Sequence, residues 1–201
     1  LETKFQFKTV SKPGESIYRE KGSRFLGYCF PVTSPTEIKN VLESLKVQHP
    51  DARHICYAYV LRANGREERC SDDGEPEGTA GKPILNQIYS SGCENMLVAV
   101  VRYFGGVKLG TSGLIHAYKT AAAQAIENTE IITREIQEFF LITFPYHLEG
   151  KVSSLVKKFR MQILSKEFQS RGHIRVSVPL SEAETAYAEF SNLYEVDIKK
   201  G

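Results

Sequence analysis

No run of apolar residues in this chain approaches the roughly 18–20 needed to cross a bilayer as a helix, so a membrane partner is not expected. The opening residues 1–7 alternate polar and apolar side chains. They lack the basic start and unbroken apolar stretch of a secretory signal, and a cytoplasmic location is expected. Cysteine is sparse: Cys29, Cys56, Cys70 and Cys93 are scattered, without a Cys-x-x-Cys pair or a companion histidine spacing. That excludes the common zinc motifs and reads as reduced cytosolic thiols. Charge imbalance is also missing, since 26 basic residues face 24 acidic ones for a net charge of +2. A polyelectrolyte chain is therefore excluded, and any nucleic-acid contact needs a local patch. What remains, 41% hydrophobic and 25% charged, is ordinary globular composition and excludes disorder.

Periodicity divides the chain near residues 133–137, with no Gly/Ser/Pro linker, into domains at 1–134 and 135–201. In the second, residues 137–146 are rich in aromatic and β-branched side chains, as a strand is. Leu148, Val152, Leu155, Val156 and Phe159 then recur at helical spacing. Two strands follow at 161–169 and 173–179, with Gly172 at the turn between them. Ser181 and Glu184 form a capping-box pattern that opens a helix. Residues 194–199 make a last strand. The order β-α-β-β-α-β predicts a ferredoxin-like domain.

The first domain opens with expected strands at 4–10, 15–20 and 24–32. Ser34-Pro35-Thr36-Glu37 combines a capping box with proline at the first helical position, and Ile38, Val41, Leu42 and Leu45 complete the buried stripe. The apolar run in 53–61 predicts a strand buried on both faces. A long polar loop, a short helix near 83–90, a strand at 96–103 and a helix over 113–128 complete an α+β arrangement.

Two glycine-rich segments carry the chemistry. Residues 71–83 (SDDGEPEGTAGKP) hold four carboxylates, and Asp72, Asp73 and Glu75 are candidate oxygen ligands for a divalent cation. The spacing lacks the EF-hand order, and no resident metal or cofactor is expected. The segment reads instead as a shaped recognition loop, with Asp72, Asp73, Glu75, Thr79 and Gly81 as its residues. Residues 102–113 (RYFGGVKLGTSG) run from a strand through glycines into a helix N-terminus, where free N–H groups and the helix dipole favour anions. Candidate anion- or nucleic-acid-binding residues are Arg102, Tyr103, Gly105, Gly106, Lys108, Gly110, Thr111 and Ser112, with Lys82 in support. This is not a Walker A loop, because Thr111 stands where the lysine should be. Alternatively, Thr111 or Ser112 caps the helix and the glycines only make a tight turn. Catalytic residues are not identifiable: His54 and Cys56 share one face of their strand, but no orienting third group is evident. His116 lies on the helix after the loop.

His49-Pro50-Asp51-Ala52-Arg53-His54, residues 71–85 (SDDGEPEGTAGKPIL) and 102–118 (RYFGGVKLGTSGLIHAY) resemble the YigZ/IMPACT family. The resemblance covers residues 14–128, and the second domain is similar to that of the bacterial YigZ branch. Two departures stand out: Ser112 replaces an expected glycine, and His116 an Arg or Lys. The family implies a two-layer first domain of the ribosomal-protein second-domain type, and a ferredoxin-like second domain like that of elongation factor G. Eukaryotic relatives regulate translation by binding the scaffold of a starvation-responsive kinase. The expectation is a protein associated with RNA, the ribosome or a translation factor, non-enzymatic rather than enzymatic. A protein–protein interaction module, or an enzyme acting on a phosphorylated or peptide-like small molecule with nucleotide and Mg²⁺, is the alternative.

Overall fold

Central strands of this protein are recognisable by apolar residues that leave nothing for solvent on either face. The computed structural model describes residues 5–62 and 66–201. Lys4 of the expected opening strand, and residues 63–65 of the expected polar loop, lie outside them. The chain divides into two compact units, Lys8–Thr133 on its own and residues 5–7 with Arg134–Gly201. Strands β1 (Gln6–Val10) and β7 (Ile131–Glu135) pair as a two-stranded sheet, and the division falls within both.

The Lys8–Thr133 unit is built on an antiparallel sheet of order β2-β3-β6-β4-β5. Its strands are β2 (Gly14–Glu20), β3 (Ser23–Pro31), β4 (His54–Leu61), β5 (Glu67–Ser71) and β6 (Met96–Tyr103). Alternation on the central strand β6 sends Met96, Val98 and Val100 to one side and Leu97, Ala99 and Val101 to the other. The first set packs under α2 (Gly81–Ser91) and α3 (Gly110–Glu127), the second under α1 (Pro35–Gln48). The mixed α+β class holds, and α1 gives the sheet a cover on its second face. Helix α3 packs tightly because it presents Ala117, Ala121, Ala122 and Ala125, all fully buried. A Cβ on Gly27 of β3 would run into the Ala121 carbonyl, so the helix backbone rests directly on the strand.

Helix α1 starts as its sequence indicates: the Ser34 hydroxyl accepts from the Glu37 N–H at 3.3 Å. The return contact differs, since the Glu37 carboxylate accepts from Thr33 N–H at 2.7 Å rather than from Ser34. Three other expectations are corrected. Residues 67–71, read as loop, form the edge strand β5; EERCS has no apolar alternation because the strand stays largely exposed. Helix α3 begins at Gly110, three residues before the expected start, so Thr111 and Ser112 lie in its first turn and neither caps it. Strand β7 occupies 131–135, which the sequence offers only as a boundary.

In the second unit β8 (Gln137–Phe144), α4 (Glu149–Lys158), β9 (Gln162–Phe168), β10 (Gly172–Pro179), α5 (Leu180–Ser191) and β11 (Asp197–Lys200) follow in the ferredoxin-like order. The antiparallel sheet runs β11-β8-β10-β9. Phe140, Ile142 and Phe144 of β8 alternate inward with Ile174, Val176 and Val178 of β10 against Val152 of α4 and Phe190 of α5. Each such burial contributes about 1.5–3 kcal/mol. The expected capping box is absent: Ser181 lies inside α5, whose N-cap is Pro179 with no side-chain hydrogen bond.

Candidate functional site

Strand register brings charged residues from separate segments of the first unit to one end of its sheet. Antiparallel pairing sets Arg24 opposite Tyr103 and His54 opposite Arg102. The end of β6, the starts of β3 and β4, the acidic loop and the start of α3 together line an open cleft of about 1070 Å³. Of the residues singled out in the sequence, Arg102, Tyr103, Lys108, Gly110, Thr111 and Glu75 line it. His54, Asp51 and Arg53 of the motif at residues 49–54 and Pro76 of the acidic loop join them, with Gly22 and Arg24 from the β2–β3 turn and the start of β3, which carry no motif of their own. Gly105, Gly106 and Ser112 shape the rim without lining the cavity, and Lys82 projects, exposed, from the first turn of α2. His116 is exposed on α3, edge-on to Tyr18, away from the lining.

The acidic loop is folded inward. The Asp72 carboxylate accepts from the N–H groups of Gly78 (2.9 Å), Ala80 (2.9 Å) and Gly81 (2.8 Å). Asp73 accepts at its carboxylate from Ile55 N–H (2.7 Å) and at its carbonyl from His54 Nδ1 (2.7 Å). Thr79, buried, donates its hydroxyl to the Pro76 carbonyl at 2.7 Å. Gly81 sits against the backbone of Ser71, where a Cβ would stand 2.8 Å from its nearest atoms. The carboxylates proposed as cation ligands are thus used by protein donors, and no group of three or more His, Cys, Asp or Glu among the described residues is arranged to hold a metal.

Burial raises the Asp72 carboxyl, but the three N–H bonds together outweigh it and hold it below the ordinary carboxylate value. A carboxylate depressed on folding adds stability above its unfolded value of 3.8, and that stability is lost as pH falls through the lower folded value. Acidification below about pH 4 is therefore expected to open the loop. Amide protection at Gly78, Ala80 and Gly81, taken against the intrinsic exchange rate at each pH, should fall there in the native chain, and already at neutral pH in Asp72→Ala.

Glu75 is the pivot between loop and cleft. Its side chain is 4% exposed; Oε1 accepts from Arg102 Nη1 at 2.6 Å and from the Tyr118 hydroxyl at 2.8 Å. Burial, with Cys56 and Glu75 alongside, pushes the Tyr118 phenol far up, so it stays a donor. Arg102 is 8% exposed, yet its Nε has no hydrogen-bond partner among the described residues. Its guanidinium lies 5.5 Å from the centroids of Phe25 and of Phe104, and Phe104 is itself 56% exposed. In the same cleft, α3 starts without a side-chain cap. Its first-turn N–H groups and dipole end at the residues Gly110 and Thr111 that line the cleft. Arg24, Arg53 and Lys108, all exposed, add positive charge, and Asp51 is the exposed carboxylate among them. On the α1 side, His49 bridges the Tyr28 and Tyr103 hydroxyls at 2.8 and 2.9 Å, which steadies the Tyr103 ring against the Arg24 guanidinium.

All four cysteines are free; Cys29, Cys56 and Cys93 are buried, and burial pushes the Cys29 thiol up to about 12. No described helix is long and apolar enough to cross a membrane.

The family model of the Impact N-terminal domain matches residues 21–126, the stretch that contains the whole cleft. The chain is 31% identical over 197 residues to the IMPACT family member YvyE of Bacillus subtilis, covering 96% of this chain and 90% of that one. It is 35% identical over 173 residues to the IMPACT family member YigZ of Escherichia coli, covering 85% and 83% respectively. A solved structure described as that of a hypothetical protein superposes with a TM-score of 0.79 at 29% identity, covering 98% of this chain and 97% of the other.

Proposed function

The chain belongs to the IMPACT family, and from that premise we propose that it works in translation or its regulation as an RNA- or ribosome-associated protein. The cleft at the start of α3 holds backbone phosphates of the RNA. The observation that carries this reading is Arg102: a nine-tenths buried guanidinium whose Nε has no partner among the described residues, lining the same cleft as an uncapped helix N-terminus. A buried donor without an acceptor costs about 1–3 kcal/mol. An anionic oxygen in the cleft is drawn to the Arg102 guanidinium, and the first-turn N–H groups of α3 supply hydrogen-bond donors. Arg24, Arg53 and Lys108 give the cleft wall the cationic side chains that track a phosphate backbone, and exposed Phe104 offers a ring face for a base.

Salt dependence tests the reading. With two or three cationic side chains each neutralising one phosphate of a single strand, the slope of log K against log salt is about −1.4 to −2.1. Raising salt from about 50 to 200 mM is then expected to weaken binding of a fluorescent single-stranded RNA roughly seven- to twentyfold. Lys108→Ala and Arg53→Ala should each flatten the slope by about 0.7. Absence of RNA binding and of ribosome co-sedimentation at low salt would remove the proposal. Partners that survive nuclease treatment would favour a protein-interaction role instead.

A further inference from the structure

His54 is held in a way that a phosphate-binding cleft alone does not require. Its Nδ1 lies 2.7 Å from the Asp73 carbonyl oxygen, and a carbonyl only accepts, so Nδ1 carries the proton in the neutral ring. The other nitrogen, Nε2, keeps its lone pair, and no described residue hydrogen-bonds it. His54 lines the same cleft as Arg102, Lys108 and the start of α3. The loop is shaped around this ring. Asp73 adopts φ +41° and Gly74 φ +85°, two successive left-handed residues of which the first is not glycine. That turn delivers the Asp73 carbonyl to Nδ1, while a Cβ on Gly74 would stand 3.3 Å from the same atom. The Asp73 carboxylate meanwhile pins the strand at Ile55 N–H, 2.7 Å away. A residue held at positive φ to orient an imidazole is backbone strain placed at a working group.

Resting on the RNA reading above, we propose that His54 is a catalytic general base and that the protein cleaves single-stranded RNA without a metal. The 2′-hydroxyl beside a bound phosphate gives its proton to His54 Nε2 as the 2′-oxygen forms a bond to phosphorus. The bond from phosphorus to the 5′-oxygen breaks, and that oxygen leaves with the electron pair and takes a proton from water at the open side of the cleft. The products are a 2′,3′-cyclic phosphate and a free 5′-hydroxyl, and His54 returns its proton to solvent. Negative charge on the phosphoryl oxygens is met by the first-turn N–H groups of α3 and by the positive charge of the Arg102 guanidinium in the cleft lining. The substrate class follows from the chemistry: a neutral imidazole needs a hydroxyl next to the bound phosphate, and RNA has one at every linkage while DNA has none.

The test uses the full chain, a 5′-labelled single-stranded RNA and excess EDTA. The native protein should release fragments ending in 2′,3′-cyclic phosphate and leave the 2′-deoxy oligonucleotide intact. His54→Asn keeps an N–H donor for the Asp73 carbonyl but has no atom in place of Nε2. It should bind RNA within about threefold of the native affinity and lose cleavage by about 10²–10⁴-fold, the usual contribution of a general base. His54→Ala, with an unchanged thermal melt as the check on folding, should lose cleavage equally. Native protein that binds RNA and leaves it uncut overturns the inference and spares the binding proposal, and so does cleavage that persists in both variants. Failure to bind RNA at all removes both.

Discussion

Replacing Glu75 with alanine is expected to destabilise the Lys8–Thr133 unit by about 3–5 kcal/mol, the cost of removing one partner from a buried ion pair. Arg102 and Glu75 side chains are 9% and 4% exposed, so neither charge is relieved by solvent when its partner is lost. The Arg102 Nη1 and the Tyr118 hydroxyl both lose their acceptor, and Arg102 Nε already lacks one. A fall in Tm of about 10–20 °C corresponds to that energy for a unit of this size. Glu75→Gln retains the oxygen that accepts both bonds and should lose less than half as much. The double variant Glu75→Gln/Arg102→Met should recover most of the stability, because removing both charges removes the desolvation cost along with the attraction, and the Gln oxygen still accepts from the Tyr118 hydroxyl. If the proposed RNA binding holds, it should also weaken that binding, which separates the structural role of Glu75 from the binding role proposed for Arg102. A melt of Glu75→Ala within about 2 °C of native would mean that Arg102 finds water or another acceptor and does not call for an anion in the cleft.

The two units differ in how much of them can be read from the chain. The ferredoxin-like order is legible because β8 and β10 alternate cleanly, with Phe140, Ile142 and Phe144 inward against Ile174, Val176 and Val178. In the first unit the central strands declare themselves by unbroken apolar runs, whereas β5 (EERCS) does not, since an edge strand with little to bury has no pattern to show. The same holds for the start of α3. Gly110 enters the helix with φ +73° and carries no side chain to mark a cap. Both glycine-rich segments were visible as unusual, yet the cleft they share was not. It depends on pairings distant in sequence, Arg24 with Tyr103 and His54 with Arg102. The orienting group for His54 was illegible for a more basic reason. It is a main-chain carbonyl, and any residue at position 73 brings one; only the left-handed turn there aims it.

The Gly105→Ala substitution should be among the most disruptive single-atom additions to the first unit. Gly105 passes across the β2–β3 turn so closely that a Cβ would overlap the backbone of Gly22 and Ser23, which cannot rotate aside as a side chain would. The approach is held by the Gly105 N–H, which donates to the hydroxyl of fully buried Ser23 at 3.1 Å. Overpacking costs about 1–3 kcal/mol, and loss of the hydrogen bond adds about 1 kcal/mol. The loop must then lift from the turn, carrying Phe104 and Lys108 away from Arg24 and Arg102. RNA affinity should therefore fall by more than the loss of one phosphate contact. Gly106→Ala is the internal control. Gly106 has φ +88° but open space around the added carbon, so it pays only left-handed strain of about 1–2 kcal/mol and leaves the crossing in place. If both substitutions cost the same stability and the same affinity, the close crossing at Gly105 does not set the shape of the cleft. If Gly105→Ala alone disturbs the amides of residues 22–24 and 102–111, the contact between loop and turn is what holds the cleft's cationic wall facing the N-terminus of α3.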